Sequence, residues 1–290
     1  GALICLHCEN GDVIHTLTQQ ALANAQYAPF NHPAVHPAAI EEEAVRRAIM
    51  LAEIAGAPLY VVHLTCRGAL EAVVDAKMRG QAVFAETCPQ YLLLDDSKYN
   101  LPGFEGAKYV ISPPLRAVEH HHALWKGLAA GMIDTVATDH CSFNFAGQKA
   151  IGSNDFSKIP NGMAGVETRL GLLYTYGVLS GKITLNQFVA LTSTNAAKLC
   201  GLYPRKGTLA VGSDADITIW DPEYSGVITA ATQTQRVDYS PFEGFRQQGR
   251  ARYVYLRGRQ VVADAKLIPD KPHGQYIYRQ HYHMGEMSSV

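Results

Sequence analysis

The sequence contains no long apolar run and no excess of charge of either sign. Its apolar stretches are far shorter than the roughly 20 residues that a membrane-spanning helix needs, and its first residues do not follow the basic-then-apolar order of a signal peptide. The formal net charge is −1, and Lys and Arg do not cluster as a nucleic-acid or anionic-membrane surface requires. We therefore expect a protein that binds a small, neutral or weakly charged molecule, and neither nucleic acid nor membrane.

Cysteine is sparse and scattered. The six cysteines lack the compact spacing of a disulfide framework, which favours free thiols and a cytoplasmic location. Cys5 and Cys8 have the spacing of half a zinc site. Residues of opposite parity in a strand face opposite sides, however, so these two side chains should diverge and hold no structural zinc.

The rest of the composition is that of a globular protein. The chain has 290 residues, of which 47% are hydrophobic and 18% charged, enough for one large domain with a small appendage. Up to Leu202, short β-branched runs alternate with longer helical runs, which is typical of βα units around a parallel sheet. We predict a partial (β/α) barrel over residues 1–202 and a small β-rich domain over 203–268 with a hairpin at Arg257-Gly258. Residues 269–290 are predicted to be a tail that either contacts another subunit or stays mobile.

Five segments are predicted as strands and six as helices. The strand candidates are Leu3–His7, Leu59–His63, Ala82–Glu86, Tyr109–Ser112 and Thr135–Thr138. The helix candidates are Ile40–Ala55, Gly68–Arg79, Glu119–Gly131, Gly165–Gly177, Leu185–Thr192 and Asn195–Leu202. A closed barrel needs eight strands, and the chain opens inside the first candidate without a starting Met. We therefore expect the C-terminal part of a barrel, strands about 4–8, with an unpaired edge strand that favours aggregation.

Potential metal ligands recur at the ends of the predicted strands. His7, His63 and Asp139 each end a β-rich apolar run, in ALICLHCENGD, PLYVVHL and DTVATDH. Ligands from the ends of several parallel strands can converge at the mouth of a barrel, so this pattern predicts metal-assisted hydrolysis. Taken singly, a histidine near an apolar strand is more often a hydrogen-bonded core residue than a ligand, and Asp139 could cap the following helix.

The segments around these residues resemble the cyclic amidohydrolases, and within them the dihydropyrimidinase and hydantoinase branch. The resemblance extends over nearly the whole chain, with the motifs in the family's order. The matching segments are LHCENGD, PLYVVHL, ETCPQYLLLD, ISPPLR, ATDHCSF, FSKIPNGMAGVE, LTSTNAAKLCGLYPRKGTLAVGSDADITIWDP and YSPFEGF. The number and order of these segments make the match far more specific than any single motif.

The resemblance implies a metal-dependent (β/α)₈ TIM-type barrel that opens the cyclic amide of dihydropyrimidines or 5-substituted hydantoins to N-carbamoyl amino acids. Two divalent ions, expected to be zinc, would serve the reaction. His7 and His63 are similar to the two histidines on the second metal. Asp139 is similar to the aspartate that binds the first metal, accepts a proton from the bridging hydroxide and passes it to the leaving nitrogen. Ser112 and Asn161 are similar to the positions that hold the cyclic ureide, largely through main-chain groups, and the intact family member is a homotetramer.

Part of the family's pattern is missing from these residues. An early His-x-His, a carboxylated lysine that bridges the metals and a tyrosine that stabilises the oxyanion belong ahead of LHCENGD. His281-x-His283 has the spacing of the first pair, but no barrel strand precedes it. His120, His121 and His122 fall about 100° apart on a predicted helix, so they cannot share one ion and are expected at a solvated helix start. We therefore expect weak metal binding and little or no activity for this chain alone.

Two alternatives stay open. An allantoinase or dihydroorotase would use similar chemistry, although IPNG and ETCPQYLLLD are closer to the hydantoinase branch. A non-catalytic, dihydropyrimidinase-related assembly protein is the second alternative, and the retention of His7, His63 and Asp139 together argues against it. The natural substrate and its stereochemistry are not predicted by these residues.

Overall fold

Two sheets organise the described residues, which are 2–269 and 274–280 in the computed structural model. One is a parallel sheet with the strand order β1-β2-β3-β4, and the other is antiparallel with the order β5-β6-β7-β8. The chain divides into two units: residues 4–169 with 228–245, and residues 170–227 with the chain's first residues and the chain from 246 onward. The first unit carries the parallel sheet and every predicted site residue.

The strands of the parallel sheet follow four of the five predicted segments. They are β1 (Ile4–Leu6), β2 (Leu59–Val61), β3 (Val83–Thr87) and β4 (Thr135–Val136). β2 and β3 are almost wholly buried, as the continuous apolar runs of a parallel sheet require. All three residues of β1 are exposed, and β2 is its one neighbour in the described sheet, so β1 is an edge strand as expected.

The helices of the first unit lie in the connections between the strands of the parallel sheet. They are α1 (Gly11–Ala23), α2 (His32–Val35), α3 (Ala38–Ala55), α4 (Arg67–Met78), α5 (Pro89–Leu93) and α6 (Val118–Ala129), with 3₁₀ turns at Pro29–Asn31, Asp96–Asn100, Glu105–Tyr109, Lys149–Gly152, Phe156–Lys158 and Ala230–Thr232. α3 ends at Gly56, whose φ of 61° is the left-handed conformation that terminates many helices. α3, α4 and α6 confirm the helical segments predicted for them.

One predicted strand is wrong. The segment Tyr109–Ser112 begins as the end of a 3₁₀ turn and continues without strand structure. Its carbonyl groups do not form the hydrogen bonds of a strand ladder. Val110 O accepts from Gly162 N and Lys149 Nζ, and Ile111 O lies 2.8 Å from His32 Nε2. Two prolines follow Ser112 and cannot donate to a strand ladder. These donors from distant parts of the chain bind the backbone carbonyl groups that a neighbouring strand would otherwise bind.

Two further differences concern helices of the first unit. α1 is a helix that the sequence analysis does not predict, and only Ala21 of its residues is buried. Its signal is Asn10, whose side chain accepts from Val13 N as an N-cap, followed by Asp12 in the first turn. His121 is buried on α6 with Nε2 3.0 Å from Leu94 O, so the solvated helix start predicted there is wrong for this residue.

The second unit combines helices with the antiparallel sheet. Its helices are α7 (Arg169–Leu173), α8 (Leu185–Val189) and α9 (Asn195–Leu199), and π-helical turns at Tyr174–Val178 and Ala190–Thr194 follow α7 and α8. Its strands are β5 (Ile217–Val227), β6 (Arg246–Leu256), β7 (Arg259–Ala263) and β8 (Lys266–Leu267). Arg257 and Gly258 join β6 to β7 with φ values of 50° and 77°, which confirms the predicted hairpin. His281 and His283 lie outside the described residues.

Candidate metal and substrate site

The three predicted ligands follow the carboxyl ends of strands in one parallel sheet. His7 comes directly after β1, His63 two residues after β2, and Asp139 three residues after β4. His63 and Asp139 have φ values of 38° and 48°, a left-handed conformation that side-chain-bearing residues adopt rarely. Strained backbone of this kind concentrates at functional sites, so these strand ends are candidates for a functional site.

His7 and His63 face each other. His7 Nδ1 lies 3.0 Å from His63 Nε2, and the ring centroids are 4.8 Å apart. Burial lowers the pKa of His63, and the neighbouring His7 lowers it further, so His63 is neutral near pH 7. Neutral imidazole nitrogens are the usual zinc ligands. The two histidines could therefore supply two of the ligands of one metal ion.

Glu9 connects this pair to a second histidine cluster. Its Oε2 lies 3.1 Å from His7 Nε2, and its Oε1 lies 2.9 Å from His36 Nδ1. Burial alone would raise the pKa of Glu9, but the hydrogen bonds from His36 and His7 outweigh it and lower that pKa to about 2. The carboxylate is therefore charged and accepts a hydrogen bond from each ring. In its neutral form His7 donates to Glu9 through Nε2, so the lone pair is on Nδ1, the nitrogen that faces His63.

Asp139 acts on the pair at longer range. Its negative charge favours the protonated form of His7, after the stronger effect of the Glu9 hydrogen bond, and partly offsets the burial of His63. In the described ranges, no group of three or more His, Cys, Asp or Glu side chains is arranged to hold a metal ion. The structure thus brings His7 and His63 together, while Asp139 as a ligand stays a prediction.

The segment after Asp139 pairs with the loop that contains Asn161. Cys141 N donates to Met163 O over 3.1 Å, and His140 forms a parallel bridge to Met163. The Nδ1 atom of His140 also accepts from the backbone N–H groups of Gly165 and Val166, at 3.0 and 3.2 Å. The Asn161 loop is therefore held beside the strand end that carries Asp139.

The loops that carry Ser112 and Asn161 are also joined to each other. Gly162 N donates to Val110 O over 3.0 Å. Lys149 Nζ donates to Val110 O over 2.8 Å and to Pro160 O over 2.6 Å. Ser112 is partly buried and Asn161 is exposed. Sequence reasoning missed Lys149, because the segment GQKAIG around it has no distinguishing pattern.

Comparison with known proteins identifies the class. The chain belongs to the amidohydrolase family, whose model matches residues 61–261. Proteins of this family are generally metal-dependent, and the parallel α/β architecture agrees with the TIM-barrel fold of its members.

Within this family, the chain is similar to proteins named D-hydantoinase and dihydropyrimidinase. The chain is 49% identical to the D-hydantoinase of Geobacillus stearothermophilus over 282 residues, which are 97% of this chain and 60% of that protein. A solved D-hydantoinase from Bacillus sp. AR9 superimposes with a TM-score of 0.96 at 49% identity, covering 98% of this chain and 62% of that one. The dihydropyrimidinase of Brevibacillus agri NCHU1002 gives a TM-score of 0.91 at 49% identity, covering 92% and 58%. The chain thus spans about 60% of the length of the curated relatives it matches.

Two further observations concern membrane-spanning helices and the cysteines. None of the helices in the described part of the chain is long and apolar enough to cross a membrane. The six cysteines are free, and of the Cys-x-x-Cys pair Cys5 is exposed and Cys8 is buried.

Proposed function

We propose that this chain carries part of the active site of a cyclic amidohydrolase that opens dihydropyrimidines or 5-substituted hydantoins to N-carbamoyl amino acids. The observation that carries the proposal is the pair of converging nitrogens, His7 Nδ1 and His63 Nε2, at the carboxyl ends of adjacent parallel strands. Relatives named D-hydantoinase and dihydropyrimidinase support this substrate class over the allantoinase and dihydroorotase alternatives.

The proposal assigns a role to each predicted site residue. His7 and His63 would hold one divalent ion, expected to be zinc, and Asp139 would bind a second. Bound metal supplies Lewis acidity to the amide carbonyl and lowers the pKa of water. Asp139 takes a proton from the attacking water and delivers it to the leaving ring nitrogen. The backbone at Ser112 and Asn161 pairs with the N–H and C=O groups of the ureide and orients its ring.

Weak metal binding by this chain forms part of the proposal. Two imidazoles converge in the structure, whereas no group of three ligating side chains is assembled among the described residues. Catalytic zinc sites usually have three protein ligands and one open position. We therefore expect low metal affinity and little ring opening from these 290 residues.

The experiment combines metal content with product detection. The chain is titrated with zinc and incubated with dihydrouracil and with a 5-substituted hydantoin, and N-carbamoyl products are quantified by mass spectrometry. Any ring opening should require added metal, should be lost in His63→Ala and Asp139→Asn, and should persist in His122→Ala, which changes an exposed histidine. Turnover unaffected by removing His63 or Asp139 would contradict the assignment, and full metal occupancy with normal turnover would contradict the weak-binding part.

Architecture, assembly and location complete the proposal. We infer that the four strands of the parallel sheet fall within the last strands, about 4–8, of a (β/α)₈ barrel, and that the intact protein is a cytoplasmic homotetramer. The TM-score of 0.96 against a D-hydantoinase supports the barrel, and six free thiols agree with a reducing compartment. Sedimentation of a version with the full length of the relatives tests the tetramer.

A further inference from the structure

Lys149 is a fully buried lysine whose amine binds backbone oxygens. Its exposed fraction is 0%, and none of the ion pairs between described residues involves it. Nζ donates to Val110 O and Pro160 O and lies 5.6 Å from the centroid of the Phe143 ring. Burial lowers the pKa of this lysine to about 7. A lysine is rarely buried completely, so this position calls for a reason beyond packing.

The two carbonyl groups that Lys149 binds belong to the two loops of the proposed ureide site. Val110 lies two residues before Ser112, and Pro160 lies directly before Asn161. Val110 and Pro160 are 50 residues apart in the chain and belong to no common helix or strand. The amine of Lys149 donates to the carbonyl oxygens of both. A shift of one loop away from the other would leave a buried donor or carbonyl without its partner, which is costly.

Gly162 also connects the Asn161 loop to the Val110 segment. Its N–H donates to Val110 O over 3.0 Å, so this oxygen accepts from both Lys149 and Gly162. The φ of Gly162 is 149°, and a Cβ there would lie 2.5 Å from the carbonyl oxygen of Cys141. The Asn161 loop is therefore closely packed between the Val110 segment and the strand end of Asp139, with little freedom to adjust.

We propose that Lys149 is a positioning residue that sets the distance between the Ser112 and Asn161 loops, and thereby the width of the slot for the ureide ring. The inference rests on the proposed function, because it takes these two loops as the ones that hold the substrate. Lys149 does not touch the substrate itself. It acts through Val110 O and Pro160 O, which fix the backbone groups next to Ser112 and Asn161.

The test uses backbone hydrogen exchange, which needs neither metal nor turnover. In Lys149→Met the side chain keeps its length but loses its donors, and exchange of the Gly162 N–H should accelerate on the order of tenfold, since its loop is released. The Leu59 N–H, which donates to Ala82 O in the parallel sheet, should be unchanged. Lys149→Gln retains a donor and should fall between wild type and Lys149→Met. Lys158→Met makes the same change at an exposed lysine and should leave both amides as in the wild type.

The outcomes separate this inference from the proposed function. Gly162 exchange that stays within about twofold of wild type in Lys149→Met overturns the inference. Acceleration of Gly162 and Leu59 together, in both Lys149→Met and Lys149→Gln, also overturns it, because the lysine would then support the whole fold. Binding of dihydrouracil, followed by NMR titration, should weaken in Lys149→Met in parallel with the Gly162 change. If Lys149→Met accelerates Gly162 exchange selectively but the wild-type chain does not bind dihydrouracil, the link between the loops is supported and the proposed role of these loops in ureide binding is contradicted.

Discussion

Glu9 determines which nitrogen of His7 is available to a metal. A carboxylate that accepts from the other ring nitrogen fixes the tautomer and orientation of a ligating histidine, and loss of such a partner typically weakens metal binding 10- to 100-fold. Glu9→Gln should therefore lower the zinc affinity of the chain within about this range. Chelator competition measures the affinity, and long-range ¹H–¹⁵N NMR of the His7 ring reports the tautomer directly.

The matched control for this prediction is Glu53→Gln, which changes an exposed glutamate on α3. It should leave both the affinity and the His7 tautomer unchanged. A Glu9→Gln variant that retains the wild-type tautomer and affinity would show that His36 and the surrounding packing orient His7 without the carboxylate.

His32 makes stability depend on pH between its folded and unfolded pKa values. Burial lowers its pKa to about 3, and the neighbouring His36 contributes, whereas the ordinary value is 6.5. Between these values the unfolded chain binds more protons than the folded one, so the stabilising contribution is complete above pH 6.5 and is lost as the pH falls toward 3. The slope from one such group is at most about 1.4 kcal/mol per pH unit.

Urea denaturation between pH 7.5 and 5 checks this slope. His32→Gln keeps a side-chain N–H for Ile111 O and removes the titrating ring, so its stability should vary less steeply with pH than that of the wild type. His122→Ala, at an exposed histidine of α6, should leave the slope unchanged. Equal slopes in His32→Gln and wild type would exclude His32 as a source of the acid sensitivity.

The residues that sequence alone could predict are those with a strong local signal. His7 and His63 stand at the ends of apolar strands, and the structure brings them together. Glu9 and Lys149 were missed because their roles depend on partners distant in sequence, namely His36 for Glu9 and Val110 for Lys149. A charged residue in a loop is usually solvated, and only the fold shows that these two are buried.

At the scale of elements, β1 and α3 present an apolar surface to solvent. Ile4 is 50% exposed on the edge strand, and Met50, Leu51 and Ile54 on α3 are 62%, 61% and 82% exposed. An unpaired strand edge and exposed apolar side chains each favour association between copies. We expect concentration-dependent self-association, and Ile54→Lys should reduce it, as measured by light scattering coupled to gel filtration.

The control for this prediction is Val211→Lys, which places the same charge at another exposed apolar residue, outside any helix or strand. It should not change the apparent mass. Equal reduction by both variants would indicate a general effect of charge on solubility and would contradict a role for the α3 surface.

Element prediction succeeded where periodicity and packing agree. The apolar positions of α3, α4 and α6 recur at helical spacing, and the short buried runs of β2 and β3 contain β-branched and aromatic residues. Both the type and the approximate limits of these elements therefore follow from the sequence. Tyr109–Ser112 has the same local composition as a strand. It differs because its backbone partners are a lysine, a histidine and a glycine from distant segments, and local composition does not encode such partners.

At the scale of the whole molecule, metal binding should be visible as stabilisation. A ligand that binds only the folded state raises the free energy of unfolding by RT ln(1 + [L]/Kd), which is about 2.7 kcal/mol at a hundredfold excess over Kd. For a site with two converging imidazoles, micromolar zinc should raise the melting temperature little, and millimolar zinc should raise it measurably. Because thiols and imidazoles of the unfolded chain also bind zinc and reduce the effect, the comparison is made between variants of equal thiol content. His63→Ala should abolish the rise and His122→Ala should retain it. If the two variants respond identically, zinc stabilises the fold somewhere other than the His7–His63 pair, and the metal assignment at these strand ends is wrong.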